Sequence, residues 1–108
     1  MINGAKKQSE YSKCRHFVAY SGVKLPLKLV NQLEESDMGH RNTYFRGYFD
    51  DQDRLLVCEK VVYGEIEFEH RYEYDEFANL QQAVITEADG EPKVLRFDPL
   101  GKRLEEDK

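Results

Sequence analysis

The sequence has no tryptophan, only two cysteines and three prolines, and no long uninterrupted apolar run. Cys14 and Cys58 are too few for a disulfide framework, so we expect two free thiols and a reducing compartment, the cytoplasm. No segment approaches the ~20 apolar residues of a membrane-spanning helix. Residues 1–7 are polar and no apolar signal-peptide core follows them. The sequence therefore predicts a cytoplasmic protein without a membrane segment.

The overall excess of positive charge that is typical of nucleic-acid-binding proteins is also missing, because the net charge is -5. The charge is unevenly divided. Residues 1–30 hold six Lys and Arg against one acid, whereas residues 31–108 hold ten Lys and Arg against twenty acids. Either the two parts attract each other within the fold, or the basic part binds an acidic partner. We expect no nucleic-acid partner.

What the sequence does contain is a period of two. Over 65–74 the apolar or aromatic residues alternate with charged ones, as in a half-buried strand. The length predicts one domain, over residues 10–104, between a flexible tail at 1–9 and a charged tail at 105–108. The predicted fold is all-β, an antiparallel meander of about seven strands that is rolled or packed on itself. The predicted strands are 14–20, 23–30, 43–49, 54–62, 65–74, 80–88 and 91–97.

Turn residues separate these strands. Ser21-Gly22, Tyr63-Gly64 and Asp89-Gly90 mark hairpins, and Asp89-Gly90 is typical of a type I′ turn. Pro26 has no N–H to donate, so the strand that contains it is predicted to be an edge strand or to be interrupted there. A helical turn is predicted over 32–36.

An aromatic residue followed by Asp recurs at 49–50, 74–75 and 97–98, and each pair precedes a short loop and a leucine. The third copy is expected to have one extra loop residue. Residues 72–80 (YEYDEFANL) resemble the YD repeat of Rhs-type proteins, Tyr-x-Tyr-Asp-x-x-Gly-x-Leu, with Ala78 where glycine is usual. The resemblance covers about 43–104 and implies successive β-hairpins. In Rhs-type proteins such hairpins form an encapsulating shell, which three copies cannot build. Residues 17–31 (FVAYSGVKLPLKLVN) are similar to a small bacterial family of unknown function, which implies no activity.

Three groups of residues suggest chemistry. Cys14 and His16 share a strand face and could bind a metal together with Cys58 or His70. Cys58 and a histidine could form a nucleophile pair. Glutamates 65, 67, 69 and 73 form a carboxylate stripe. Each has a simpler explanation as a buried thiol, a hydrogen-bonded imidazole or a solvated sheet face. We therefore predict no catalytic residue, no metal and no cofactor.

The favoured function is a non-catalytic interaction or accessory protein that binds a macromolecular partner, expected to be a protein, through a sheet face or edge. Its predicted partner-binding residues are Lys24, Lys28, His40 and Arg41, from the basic third and the long polar connection. The alternative is a carrier of a small apolar ligand. Its predicted ligand face consists of Phe68, His70, Tyr72 and Tyr74. A homodimer is possible because aromatic side chains occupy both faces of the predicted strand 43–49.

Overall fold

The computed structural model describes residues 12–104, so both predicted tails, at 1–9 and 105–108, and the predicted start of the domain at residue 10 lie outside the described residues. Eight strands and one helical turn follow one another along this part of the chain. They are β1 (Lys13–Ser21), β2 (Lys28–Leu33), α1 (Glu35–Met38), β3 (Thr43–Phe49), β4 (Leu55–Val62), β5 (Glu65–Tyr74), β6 (Leu80–Glu87), β7 (Lys93–Phe97) and β8 (Arg103–Leu104).

All eight strands form one antiparallel sheet in the order β2-β1-β3-β4-β5-β6-β7-β8. From β3 onward each strand pairs with the next one in sequence, which confirms the predicted meander. Strands β2 and β8 lie at opposite ends of the sheet and do not pair, so the sheet is not closed into a barrel.

The first connection differs from the predicted tight hairpin. The predicted strand 23–30 is wrong for its first half, because residues 22–27 form a loop and β2 begins only at Lys28. This loop turns back over the sheet and buries Leu27 in the core. Pro26 cannot pair in a ladder, and the chain accordingly enters the sheet only after it. The prediction that the strand is an edge strand or is interrupted at Pro26 is confirmed on both counts, since β2 is also an edge of the sheet.

Two further local predictions need correction. The helical turn lies at Glu35–Met38 rather than 32–36, where the Asp37 carboxylate accepts a hydrogen bond from the Glu34 N–H at 3.2 Å. The Asp89-Gly90 pair lies in a five-residue loop between β6 and β7, and Gly90 does not adopt positive φ. Pro92 explains the longer loop, because without an N–H it cannot begin the ladder with β6.

The hairpin between β4 and β5 has the predicted two-residue turn. Tyr63 and Gly64 have φ values of 52° and 84°, the sign that a type I′ turn requires at both central positions.

The three aspartates of the repeat form three equivalent turns, which we call the aspartate turns. In each, the Asp N–H donates to the carbonyl four residues later at 2.8–3.0 Å. The Asp Oδ1 accepts from the N–H groups two and four residues later at 2.8–2.9 Å. The residue three positions after the Asp has positive φ in every copy: Asp53, Ala78 and Gly101. The three copies of the sequence repeat therefore form the same set of hydrogen bonds.

The third aspartate turn has the same length as the others, contrary to expectation. Phe97 pairs with Arg103 as Tyr74 pairs with Leu80, so Arg103 occupies the position of the leucine. The strand that follows, β8, was missed because its first residue is charged.

The main core cluster lies on one face of the sheet, beneath the loop 22–27. Its buried members are Phe17, Leu27, Phe45, Leu55, Cys58, Tyr72 and Ala83. Gly47 pairs with Cys58, and a Cβ at this glycine would stand 2.8 Å from a Leu29 methyl carbon and 2.9 Å from the Phe49 ring. Glycine at position 47 is therefore what allows the side chain from β2 to pack over the centre of the sheet.

Candidate functional site

An apolar cleft separates the loop 22–27 from the β7–β8 end of the sheet. It has a volume of ≈ 540 Å³. Its lining residues are Val23, Lys24, Leu25, Pro26, Ala78, Asn79, Leu80, Leu95, Phe97, Pro99, Leu100, Gly101 and Arg103. We call it the end cleft. Its walls come from segments about 70 residues apart in sequence, and the packing of Leu25 and Leu27 against the core holds them together.

Two apolar side chains stand at the end cleft almost entirely in solvent. Val23 is 96% exposed and Leu100 is 93% exposed. Leu100 lies two residues after Asp98, and its N–H donates to the Asp98 Oδ1 at 2.9 Å. The aspartate turn thus fixes the backbone of Leu100 while its side chain contributes little to the core.

A second hollow of ≈ 500 Å³ adjoins the end cleft and shares Pro99 with it. Phe77 lines this hollow and is 75% exposed. It occupies the same position in the second aspartate turn as Leu100 occupies in the third, two residues after the Asp. Glu76 stands beside it. The exposed apolar surface therefore extends over the tips of two consecutive turns.

The two hollows differ in charge. The charged residues that line the end cleft are both cations, Lys24 and Arg103, whereas those of the second hollow are Asp75 and Glu76. The Asp75 carboxylate is committed to its turn, because hydrogen bonds from Asn79 and from the Phe77 backbone N–H together outweigh desolvation and lower its pKa. Glu76 is exposed. The surface therefore has a basic end and an acidic end.

Of the four predicted partner-binding residues, one lines the end cleft. This is Lys24. Lys28 is the exposed first residue of β2, and His40 and Arg41 are exposed after α1, where the Arg41 Nε donates to the Thr43 carbonyl at 3.3 Å. These three do not belong to the lining of the cleft.

The predicted ligand face is packed against the core. Tyr72 is buried, and its hydroxyl accepts a hydrogen bond from the Leu27 N–H at 3.1 Å. The hydroxyl lies 2.7 Å from the Nδ1 of buried His70. Because a hydroxyl has one proton and two lone pairs, the Tyr72 oxygen can accept from the Leu27 N–H while its own proton bonds the His70 Nδ1 in the tautomer that carries its proton on Nε2. Burial lowers the pKa of His70, and the nearby Glu87 carboxylate opposes that shift.

The other two members of this face are partly buried. Phe68 and Tyr74 pack against the core cluster. The Tyr74 hydroxyl donates to the Leu55 carbonyl at 2.6 Å. Both tyrosine hydroxyls of the aromatic face and the His70 Nδ1 are thus paired within the protein.

The sheet register separates the two halves of the hypothetical metal site. His70 pairs with Cys58, which pairs with Gly47, so these two side chains share a face. Cys14 pairs with Tyr48, the neighbour of Gly47 in β3, and therefore lies on the opposite face together with His16. Within residues 12–104 no three His, Cys, Asp or Glu residues group as a metal site would require.

The two cysteines are free thiols, as predicted. Cys58 is 0% exposed, and burial, with a contribution from Glu59, raises its pKa to about 12. The thiol is therefore protonated at neutral pH, the opposite of what an activated nucleophile needs.

The carboxylate stripe is partly neutralised by bases. Glu67 forms an ion pair with Lys60 at 2.9 Å, and Glu69 pairs with Arg71 at 3.1 Å. Glu65 and Glu73 are exposed. This arrangement fits a solvated sheet surface.

Sequence reasoning missed the end cleft, although one signal for it was present. Turn tips are usually polar, yet Phe77 and Leu100 occupy equivalent tip positions where the first copy has Gln52. A large apolar residue at a tip that a polar residue can fill equally well indicates a role outside the turn.

Within the described residues no helix is long and apolar enough to cross a membrane.

Comparison with known proteins identifies a sequence family. Neither a curated protein sequence nor a solved structure matches the chain significantly. The sequence profile of DUF6156, a family of unknown function, matches residues 9–106. The chain therefore belongs to the DUF6156 family.

Proposed function

We propose that the protein is a non-catalytic interaction protein that binds another protein chain at the end cleft. The observation behind this proposal is the exposure of Val23, Phe77 and Leu100 around one continuous surface. Exposed large apolar side chains grouped in this way are typical of interaction sites.

The aspartate turns support the proposal because they provide an internal comparison. Gln52 makes the same backbone hydrogen bond in the first turn that Phe77 and Leu100 make in the second and third. The turn itself therefore does not require an apolar side chain. Burial of a Leu or Phe side chain in an interface contributes roughly 1.5–3 kcal/mol to binding. Phe77 and Leu100 would therefore stabilise a complex in which a partner covers them.

A carrier of a small apolar ligand is the second candidate, because ≈ 540 Å³ lies within the usual range for ligand pockets. In this case the end cleft is the site, since Tyr72 and His70 of the predicted ligand face are buried and bonded to one another. The open surface over two turn tips fits a protein segment better than an enclosed small molecule.

The test is affinity capture from the native cell with tagged wild-type protein and a Phe77→Gln/Leu100→Gln variant. Glutamine is chosen because Gln52 occupies the equivalent position, so the fold and the melting temperature are expected to be unchanged. Proteins recovered with the wild type and lost with the variant identify the partner. Recovery of the same proteins in the same amounts with both would refute this assignment.

The remaining aspects of the proposal concern context. We place the protein in the cytoplasm of a bacterium, which agrees with two unpaired cysteines, one of them exposed. The three aspartate turns support the proposed resemblance to YD-repeat hairpins. The net charge of -5 favours a protein over a nucleic acid as partner. We also propose that the protein forms a homodimer, and sedimentation at micromolar concentration should then give a mass above the 12.7 kDa of one chain.

A further inference from the structure

We infer that the end cleft takes an acidic apolar peptide segment, with one or two large apolar side chains next to Asp or Glu. This inference rests on the proposed function and adds the chemistry of the partner. It follows from the charged residues that line the cleft, which are two cations and no carboxylate.

The lining of the end cleft is apolar except for one amide and two cations. Lys24 comes from the loop 22–27 and Arg103 from β8. No carboxylate side chain lines this cleft, although acids outnumber bases by five in the whole chain. Across residues 12–104 neither cation takes part in an ion pair. Arg103 also borders a neighbouring hollow that Glu87 and Glu91 line, but it forms an ion pair with neither of them. Both cations are therefore available to a carboxylate of a partner.

The positions of these cations relative to the apolar residues define the segment that fits. Lys24 follows Val23 directly, and Arg103 lies three residues after Leu100. An apolar side chain inserted between Val23 and Leu100 would therefore lie in a cleft whose charged lining residues are both cations. Lys and Arg also have long apolar stems, so the same side chains can cover an apolar partner residue while their charged ends bond a carboxylate.

Glu76 determines the orientation in which an acidic segment would bind. It lies in the second hollow, beyond Pro99 from the two cations. An acidic group of the partner would be repelled there and attracted at the Lys24 and Arg103 end. The acidic part of the segment is therefore expected at the end cleft, and its apolar continuation over Phe77.

The experiment pans a random peptide library displayed on phage against the immobilised wild-type protein, followed by fluorescence polarisation with the most enriched peptide. Enrichment of peptides with a large apolar residue beside Asp or Glu is expected. A Lys24→Glu/Arg103→Glu variant should bind the acidic peptide about tenfold more weakly at low ionic strength. Binding should be restored when Lys replaces the acid of the peptide.

Two matched variants serve as controls. Lys28→Glu changes an exposed lysine outside the cleft and should leave the affinity within about twofold of wild type, because exposed charges at a distance are screened. Glu76→Lys removes the repulsion and should strengthen binding of the acidic peptide. Both variants, and the double variant, should retain the wild-type melting temperature.

The outcomes separate the inference from the proposed function. Peptides that lose affinity with Phe77→Gln/Leu100→Gln but not with Lys24→Glu/Arg103→Glu would overturn the acidic partner and leave the docking surface intact. Peptides insensitive to both variants, or no enrichment at all, would overturn both. Saturable binding of dodecanoate at the cleft, with no peptide enriched, would favour the carrier.

Discussion

The hydroxyl of Tyr72, near the end of β5, accepts a hydrogen bond from the backbone N–H of Leu27 at 3.1 Å, across 45 positions of sequence. This bond joins the loop that forms one wall of the end cleft to the centre of the sheet. It also satisfies a buried N–H that has no strand partner, because Leu27 precedes the first residue of β2. The shape of the cleft therefore depends on a core tyrosine outside its lining.

Replacing Tyr72 by phenylalanine tests this bond. The ring remains, but the Leu27 N–H and the His70 Nδ1 lose their partner inside the core. We expect the free energy of unfolding in urea to fall by about 1–3 kcal/mol, the usual effect of leaving a buried polar group unpaired. The control is Tyr63→Phe, which removes a hydroxyl from an exposed side chain in the β4–β5 turn. Equal unfolding midpoints for Tyr72→Phe and the wild type would contradict the role of this bond.

His70 makes the stability depend on pH. Its pKa in the folded protein lies below the usual 6.5, through burial, with Glu87 acting in the opposite direction. The unfolded chain therefore binds more protons than the folded one as the pH falls through about 6.5, and stability decreases with it. Urea midpoints measured between about pH 7.5 and 5 should decline, while the carboxylates, with usual pKa values near 4, contribute little in this range.

Two histidine variants separate this effect from others. The pKa of His16 is also lowered, by burial and by Arg46, so part of the decline is expected to persist in His70→Gln. His40→Gln, at an exposed position, should keep the full decline. A decline of the same size in His70→Gln as in the wild type would show that His70 is not responsible.

The three aspartate turns are equivalent in hydrogen bonding but not in burial, which predicts unequal costs of substitution. The Asp50 carboxylate is buried and bonds the Arg54 side chain at 2.8 Å in addition to two backbone N–H groups. Burial acts to raise its pKa, but the bonds from Arg54 and Gln52 prevail and lower it. Asp50→Ala should cost about 2–4 kcal/mol in urea unfolding and Asp98→Ala about 1 kcal/mol.

The control for these substitutions is Asp89→Ala, in the exposed loop between β6 and β7. It should leave the unfolding midpoint unchanged. A larger loss of stability for Asp98→Ala than for Asp50→Ala would mean that burial does not determine the cost.

The sequence predicts most of the sheet because its strands obey local rules. The alternation over 65–74 and the Tyr63-Gly64 pair determine β5 and its turn without reference to the rest of the chain. The loop 22–27 was mistaken for a strand because Val23, Leu25 and Leu27 also alternate. The spacing of these residues does not distinguish a strand within a sheet from a loop that packs over one. The loop arrangement depends on the hydrogen bond between Leu27 and the distant Tyr72.

The end cleft was beyond prediction for a related reason. It brings the segment 23–26 against residues 95–103, and no local pattern encodes that contact. Only Lys24 was identified in advance, from its charge. The sequence did not identify Arg103, because this residue stands where a leucine is expected at the start of a strand.

Gly47 supplies the last prediction, and Cys58 supplies its readout. A methyl group at position 47 would meet the Leu29 side chain at 2.8 Å, the Phe49 ring at 2.9 Å and the Leu55 side chain at 3.1 Å. These neighbours belong to the core or pack against it, so they can yield only by disturbing it. We expect Gly47→Ala to lower the free energy of unfolding by about 1–3 kcal/mol, the usual cost of overpacking.

Cys58 pairs with Gly47 and is fully buried, so its thiol reacts with a disulfide reagent only after the sheet opens. In a Cys14→Ser background, which removes the exposed thiol, the labelling rate of Cys58 should rise about 5- to 150-fold in Gly47→Ala, because the population of the open state increases exponentially with the lost free energy of unfolding. Gly90→Ala, in the open β6–β7 loop with no atom within 4 Å of the added carbon, should label at the wild-type rate. Labelling of Gly47→Ala at that same slow rate would show that the core accommodates the methyl group and that the close approach of Leu29 to position 47 does not depend on glycine.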